Sequence, residues 1–230
     1  MMLSKGNAIR THVQLVSVLL AAGGDQMMDS PDLASTLIDH LVLLHQITRA
    51  SVPLMEAAHD ECIRRRADPV CAGLAPYLLK HIEEERHHDD WTLDDLETAG
   101  ITRTEVLGVM PAANVAALVG AQYYWILHHH PVAILGYMIM LEFNAPTPGT
   151  IADMQSRTGL PDSVFRSHIL HAELDPHHQA ELFQLVDDLS LSDSQIHLVK
   201  ESVIHTGRML ADCLANPEGW GGLASSRNRS

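Results

Sequence analysis

The sequence predicts an all-α protein. Apolar residues recur at three- and four-residue spacing along nearly all of the 230 residues, and alternating apolar–polar runs bounded by turn residues are absent. Histidine and carboxylate also recur at helical spacing, in HIEEERHH and HAELDPHH, so ligand-type side chains share helix faces.

In chain order, helices are expected near 7–22, 31–66, 72–98, 112–128, 131–143, 149–157, 163–173, 176–189 and 193–214. The first is amphipathic. Its apolar stretch Val13 to Ala22, after Lys5 and Arg10, faintly resembles a signal peptide, but Gln14 and Ser17 interrupt it and no A-x-A site follows. Ser30 before Pro31 reads as an N-cap and N1 proline for the second helix. Pro53 should kink or divide that helix, because it deletes an amide donor and crowds the preceding turn. Arg64, Arg65 and Arg66 mark its C-terminus, where cations complement the helix dipole. Leu78, Leu79, Ile82, Trp91 and Leu93 turn the third helix toward a core. The run PVAILGYMIMLEF is apolar enough for a helix buried nearly all round, yet far short of the roughly 20 residues of a membrane span. Asn144 to Pro148 is a loop before the sixth helix. Pro176 should break the chain at Asp175, which would then cap the next helix. Ser192 with Gln195 forms a capping box, followed by an apolar stripe of Ile196, Val199, Val203, Leu210 and Cys213. Residues 1–215 are read as one domain and 216–230 as a disordered tail.

The formal charge of −14 argues against nucleic acid or an anionic membrane surface as partner, since both need a basic patch. Cys62, Cys71 and Cys213 are odd in number and have no metal-type spacing, which fits free thiols in a cytoplasmic protein.

Within the third helix His81, Glu85 and His88 fall at i, i+4 and i+7, with Glu84 roughly 80° round the helix. A solvated charged face is the competing reading, weakened by the apolar neighbours. Glu142 ends the most apolar helix, where an unpaired carboxylate is costly unless a cation meets it, or else it points to solvent at the helix end. His171, Asp175 and His178 give three metal-type ligands at spacings of four and three. Mixed imidazole and carboxylate ligation suits iron, whereas structural zinc more often recruits cysteine. His128, His129 and His130 read as a surface cluster, and His40 and His45, five apart, as non-ligands. Glu56 and His59 make a second Glu-x-x-His, a pattern that ferritin-like di-iron bundles use twice.

Taken together, HIEEERHHDDWTLDDLETAG, HPVAILGYMIMLEF and HAELDPHHQAEL resemble the haem-oxygenase-like di-iron oxidases, the iron-containing redox enzyme family, over about residues 40–190. The resemblance implies a bundle of about seven core helices without haem. It implies two ferrous ions, dioxygen as co-substrate, and Glu85, His88, Glu142, His171, Asp175 and His178 as ligands. Two departures stand out: some relatives carry a carboxylate where this chain has His81, and others recruit one from the first core helix, where only Glu56 is on offer. The second iron is therefore expected to be held weakly, with Glu84 a reserve ligand. Leu135, Met138 and Ile139 are expected to line a substrate cavity, or else simply to pack in the core.

The implied activity is oxidation of a small amino acid or related carboxylate metabolite in a biosynthetic pathway: desaturation, C–C cleavage, cyclisation or N-oxygenation. A medium-chain fatty-acid oxidase or decarboxylase is the second reading. A ferritin-like bundle that binds metal through Glu56, His59, Glu85 and His88 without organic turnover is the third. A small-molecule substrate, an external electron donor and a homodimer are compatible with the resemblance.

Overall fold

The computed structural model describes residues 4–216 and 222–224, and these contain helices and turns but no strand. The helices are α1 (Lys5–Met28), α2 (Leu33–Arg64), α3 (Pro69–Glu85), α4 (His88–Thr98), α5 (Arg103–Gly108), α6 (Ala113–His128), α7 (Ile134–Glu142), α8 (Pro148–Thr158), α9 (Arg166–Asp188) and α10 (Asp193–Ala215). Short 3-10 turns at Pro131–Ala133 and Asp162–Phe165 lead into α7 and α9. No helix among the described residues is long and apolar enough to cross a membrane.

Helix α10 packs along α1, α7 and α6, while α2 packs against α3, α6 and α4, and α9 closes the bundle against α4 and α7. Two glycines permit the closest approaches. A Cβ on Gly207 would lie 2.2 Å from Val16 Cγ1, and one on Gly136 would lie 2.6 Å from the Val199 carbonyl oxygen. The second contact seats α7, and with it Glu142, against the backbone of α10. Two apolar clusters form, one around α7 and α10 and one around the first half of α2, α4 and α8. Buried His45 and Gln46 lie where α2 passes from one to the other.

Four expectations need correction. The predicted helix over 72–98 is two helices, broken at Arg86 and His87, with His87 in the left-handed region at φ 72°. Such a backbone is uncommon for a non-glycine residue and needs tertiary contacts to hold it. Conversely, the predicted break at Pro176 does not occur, and α9 runs unbroken through it. Pro176 faces solvent, so the carbonyl it leaves without an amide partner can be hydrated, while Asp175, His178, Leu182 and Val186 are buried on the opposite side. Of the kink or division expected at Pro53, the division does not occur, and α2 runs through it. The N-cap of α2 is Asp32, whose side chain accepts from the Ser35 amide, rather than Ser30, which pairs with Thr36 Oγ1 at 2.7 Å.

Other local signals agree. Ser192 and Gln195 form both halves of the capping box that starts α10, and Arg64 lies in the last turn of α2. Helix α5, too short to show periodicity, has no counterpart among the predicted elements. The tail expected to be disordered lies outside the described residues except for Asn216 and 222–224, where the Ala224 amide donates to Asp39 Oδ1 at 2.8 Å.

Candidate metal centre

The end of α3 presents His81 and Glu85, and the turn at His87 re-aims the chain so that His88, the first residue of α4, comes back onto Glu85. The last residue of α7 is Glu142, and Gln179 Nε2 on α9 donates to its carbonyl at 2.6 Å. Helix α9 adds His171, Asp175 and His178 along one stripe.

These side chains form two donor groups, His81, Glu85, Glu142 and His178, and Glu85, His88 and His171. Within each group all ligand atoms lie within 4.8 Å of one another, and Glu85 belongs to both. His81 Nε2 stands 3.4 Å from Glu142 Oε1, and His178 Nδ1 stands 3.2 Å from Glu142 Oε2 and 3.6 Å from Glu85 Oε1. His88 Nδ1 is 2.9 Å from Glu85 Oε2 but is not aligned with it as a hydrogen bond. Two donor atoms that approach closely without bonding each other have the geometry of ligands converging on a third atom. His171 Nδ1 donates to the Ser167 carbonyl at 2.8 Å, which fixes the tautomer and leaves Nε2 as its ligand atom. The Ser167 amide in turn donates to Asp95 Oδ2 at 2.8 Å, tying the start of α9 to α4.

The electrostatics are those of buried acids and imidazoles held close together. Burial would raise the Glu142 carboxyl, but hydrogen bonds from His178 and His81 outweigh it and hold it below the usual range. Asp175 moves the other way: burial pushes it well up, and the charges of Glu142 and Glu85 add to the rise. It therefore keeps a proton and shares it with Glu142 in a hydrogen bond. His178 is raised by its bond to Glu142, and His171 is lowered by burial. Imidazole nitrogens and the carboxylates of Glu85 and Glu142, buried or half-buried and close together, are donors that fit a redox-active first-row ion.

Five of the six expected ligands enter these donor groups, Asp175 stands beside Glu142 outside both, and His81, expected only as an extra, joins as a full member. Glu84 stays outside, with Oε2 3.5 Å from His81 Nδ1, which has no hydrogen-bond partner, and Oε1 3.3 Å from Lys80. Glu56 is exposed, 3.9 Å from Arg86 Nη1, and takes no part. His130 is not a simple surface residue: it is half-buried, and Asp68, Cys71 and His130 form another donor group. There His130 Nδ1 accepts from the Val132 amide, so the neutral ring carries its proton on Nε2, 3.1 Å from Asp68 Oδ2. That is a satisfied joint between α3 and α7.

A cavity of about 560 Å3 opens on the cluster, between α1, α2, α7 and α8. Of the three residues expected to line it, only Met138 does; Leu135 and Ile139 are buried in the apolar cluster, because α7 is enclosed on every side and turns Met138 and Leu141 to the cavity. His40, read as a non-ligand, and His168 also line it. His168 precedes His171 by one helical turn, a spacing that offers the only sequence signal for it.

A sequence profile described as iron-containing redox enzyme matches residues 81–203, a span that contains every member of the cluster. No curated protein matches the chain. A domain of unknown function with a heme oxygenase-like fold from Shewanella denitrificans OS217 superposes with a TM-score of 0.74 at 17% identity, covering 92% of both chains. A TenA homologue from Pseudomonas syringae pv. tomato DC3000 superposes with a TM-score of 0.72 at 13% identity, over 92% of this chain and 91% of that one. At such identities these two share the fold.

Proposed function

This chain belongs to the iron-containing redox enzyme family, and from that premise we propose that it is a non-haem di-iron oxidase or oxygenase that uses dioxygen to oxidise a small organic molecule. The observation that carries this reading is the position of Glu85 in both donor groups, since a carboxylate shared by two clusters could serve an ion in each. One ion would take Glu85, His88 and His171, and the other His81, Glu85, Glu142 and His178, with Asp175 beside Glu142. The bound iron pair would supply electrons and open coordination positions for dioxygen.

The chain's own groups do the rest. Ser167 holds the His171 ring in the ligating tautomer, and Glu84 flanks His81 on the side away from the cluster. Asp175 holds a proton that a cation would displace, so loading is coupled to proton release. Apolar residues such as Met138 and Leu141 exclude water beside the metals. The ferritin-like reading lacks its second ligand pair, because Glu56 is exposed and paired with Arg86.

Anaerobic ferrous titration with elemental analysis, followed by an oxygen-uptake measurement, tests the proposal. About two irons per chain and rapid oxygen uptake are expected, with His171→Ala retaining about one iron. Tight zinc binding without oxygen reactivity, or an iron content unchanged in His171→Ala, would overturn it.

A further inference from the structure

Resting on the di-iron reading of the cluster, we infer that its substrate is an elongated, mainly apolar molecule carrying an uncharged polar group, and not a free amino acid or a small carboxylate. The cavity gives the size. At ~30 Å3 for each water-sized group, about 560 Å3 holds roughly 18 non-hydrogen atoms, so a small amino acid such as alanine, with about six, would leave most of it unfilled and leucine, with about nine, would leave about half.

The walls give the polarity. Among the described residues that line the cavity there is no Lys or Arg, and the carboxyl groups there are Asp25, Glu85, Glu142 and Asp175. A substrate carboxylate would thus enter an apolar space without a cationic side chain, facing groups of its own sign. Iron would counter this only in part, because the three carboxylates of the cluster offset three of the four positive charges of two ferrous ions.

The neutral polar group has a partner. His168 is 5% exposed, lines the cavity, and has no hydrogen-bond partner for its Nδ1. His40 lies across from it, with ring centroids 6.5 Å apart. Burial lowers His40 to about 4 and His168 to about 3, so both rings are neutral near pH 7 and suit an alcohol or carbonyl better than an anion.

The test is calorimetric binding of 1-decanol, decanoate and leucine, first to metal-free protein and then to ferrous-loaded protein held without oxygen. Decanol is expected to bind at least tenfold more tightly than decanoate in both forms, and leucine not to bind at millimolar concentration. His168→Phe should weaken decanol binding severalfold while iron content stays unchanged. Decanoate or leucine binding as tightly as decanol, in either form, overturns the inference. The metal-free arm reads the cavity alone, whereas the iron count reads the di-iron assignment, so failure of one is distinguishable from failure of the other.

Discussion

Replacing Asp175 with Asn should make the metal-free protein more stable while it weakens iron binding. Asp175 is 4% exposed and keeps its proton because burial and the charges of Glu142 and Glu85 oppose ionisation. In the unfolded chain the same carboxyl ionises near its ordinary pKa of about 3.9. Its folded value, raised to about 9, lies above the unfolded one, so the folded protein binds the extra proton throughout the window between them. Stability from this group is fully present below about pH 4 and is lost as pH rises through that window. At pH 7 the loss is of the order of a few kcal/mol, and at pH 5 it is roughly a third of that, because only about one pH unit of the window has then been crossed against about three. Asn has the shape of the protonated acid, donates a similar hydrogen bond to Glu142 and has no proton to take up. Urea unfolding of chelator-treated protein should therefore show Asp175→Asn ahead of wild type, by more at pH 7 than at pH 5. Ferrous titration should show at least a tenfold loss of affinity at one site, because the amide cannot supply the charge that a displaced proton exposes. A variant less stable than wild type at pH 7, or a gain that does not change between the two pH values, would refute the argument.

Two further outcomes follow from the shared carboxylate and from the seat of α7. Glu85→Ala should lose most of both irons, against about one for His88→Ala, with helicity by circular dichroism unchanged; equal losses in the two variants would deny Glu85 its bridging position. Gly136→Ala should cost about 1–3 kcal/mol in urea unfolding, because its Cβ would stand 2.6 Å from both the Val199 carbonyl oxygen and Ser202 Cβ and must push α7 off α10. Iron content should fall with it, since Glu142 moves with that helix; wild-type stability would show that the contact yields freely.

The helical class, the capping box at Ser192 and the ligand motifs were legible in the sequence because each depends on residues within a turn or two of one another. Glu142 was legible in part: a carboxylate at the end of so apolar a helix must either meet a cation or point to solvent, and only the structure shows it buried between His81 and His178. Helix continuity was not. Local rules favour an unbroken helix through His87 and a break at Pro176, and the structure has the reverse. The turn at His87 brings His88 back onto Glu85, and the unbroken α9 buries Asp175 and His178 on the same stripe as His171. The cost of a left-handed His87 and of a missing amide at Pro176 is of the order of a few kcal/mol, which packing across the bundle can outweigh. The role of Glu85 in two groups, the place of His81 and the opening of the cavity onto His40 and His168 depend on how α2, α3, α7 and α9 meet. Such contacts join residues as much as 128 positions apart, as in His40 and His168, and no spacing along a single helix encodes them, so only the tertiary structure could decide them.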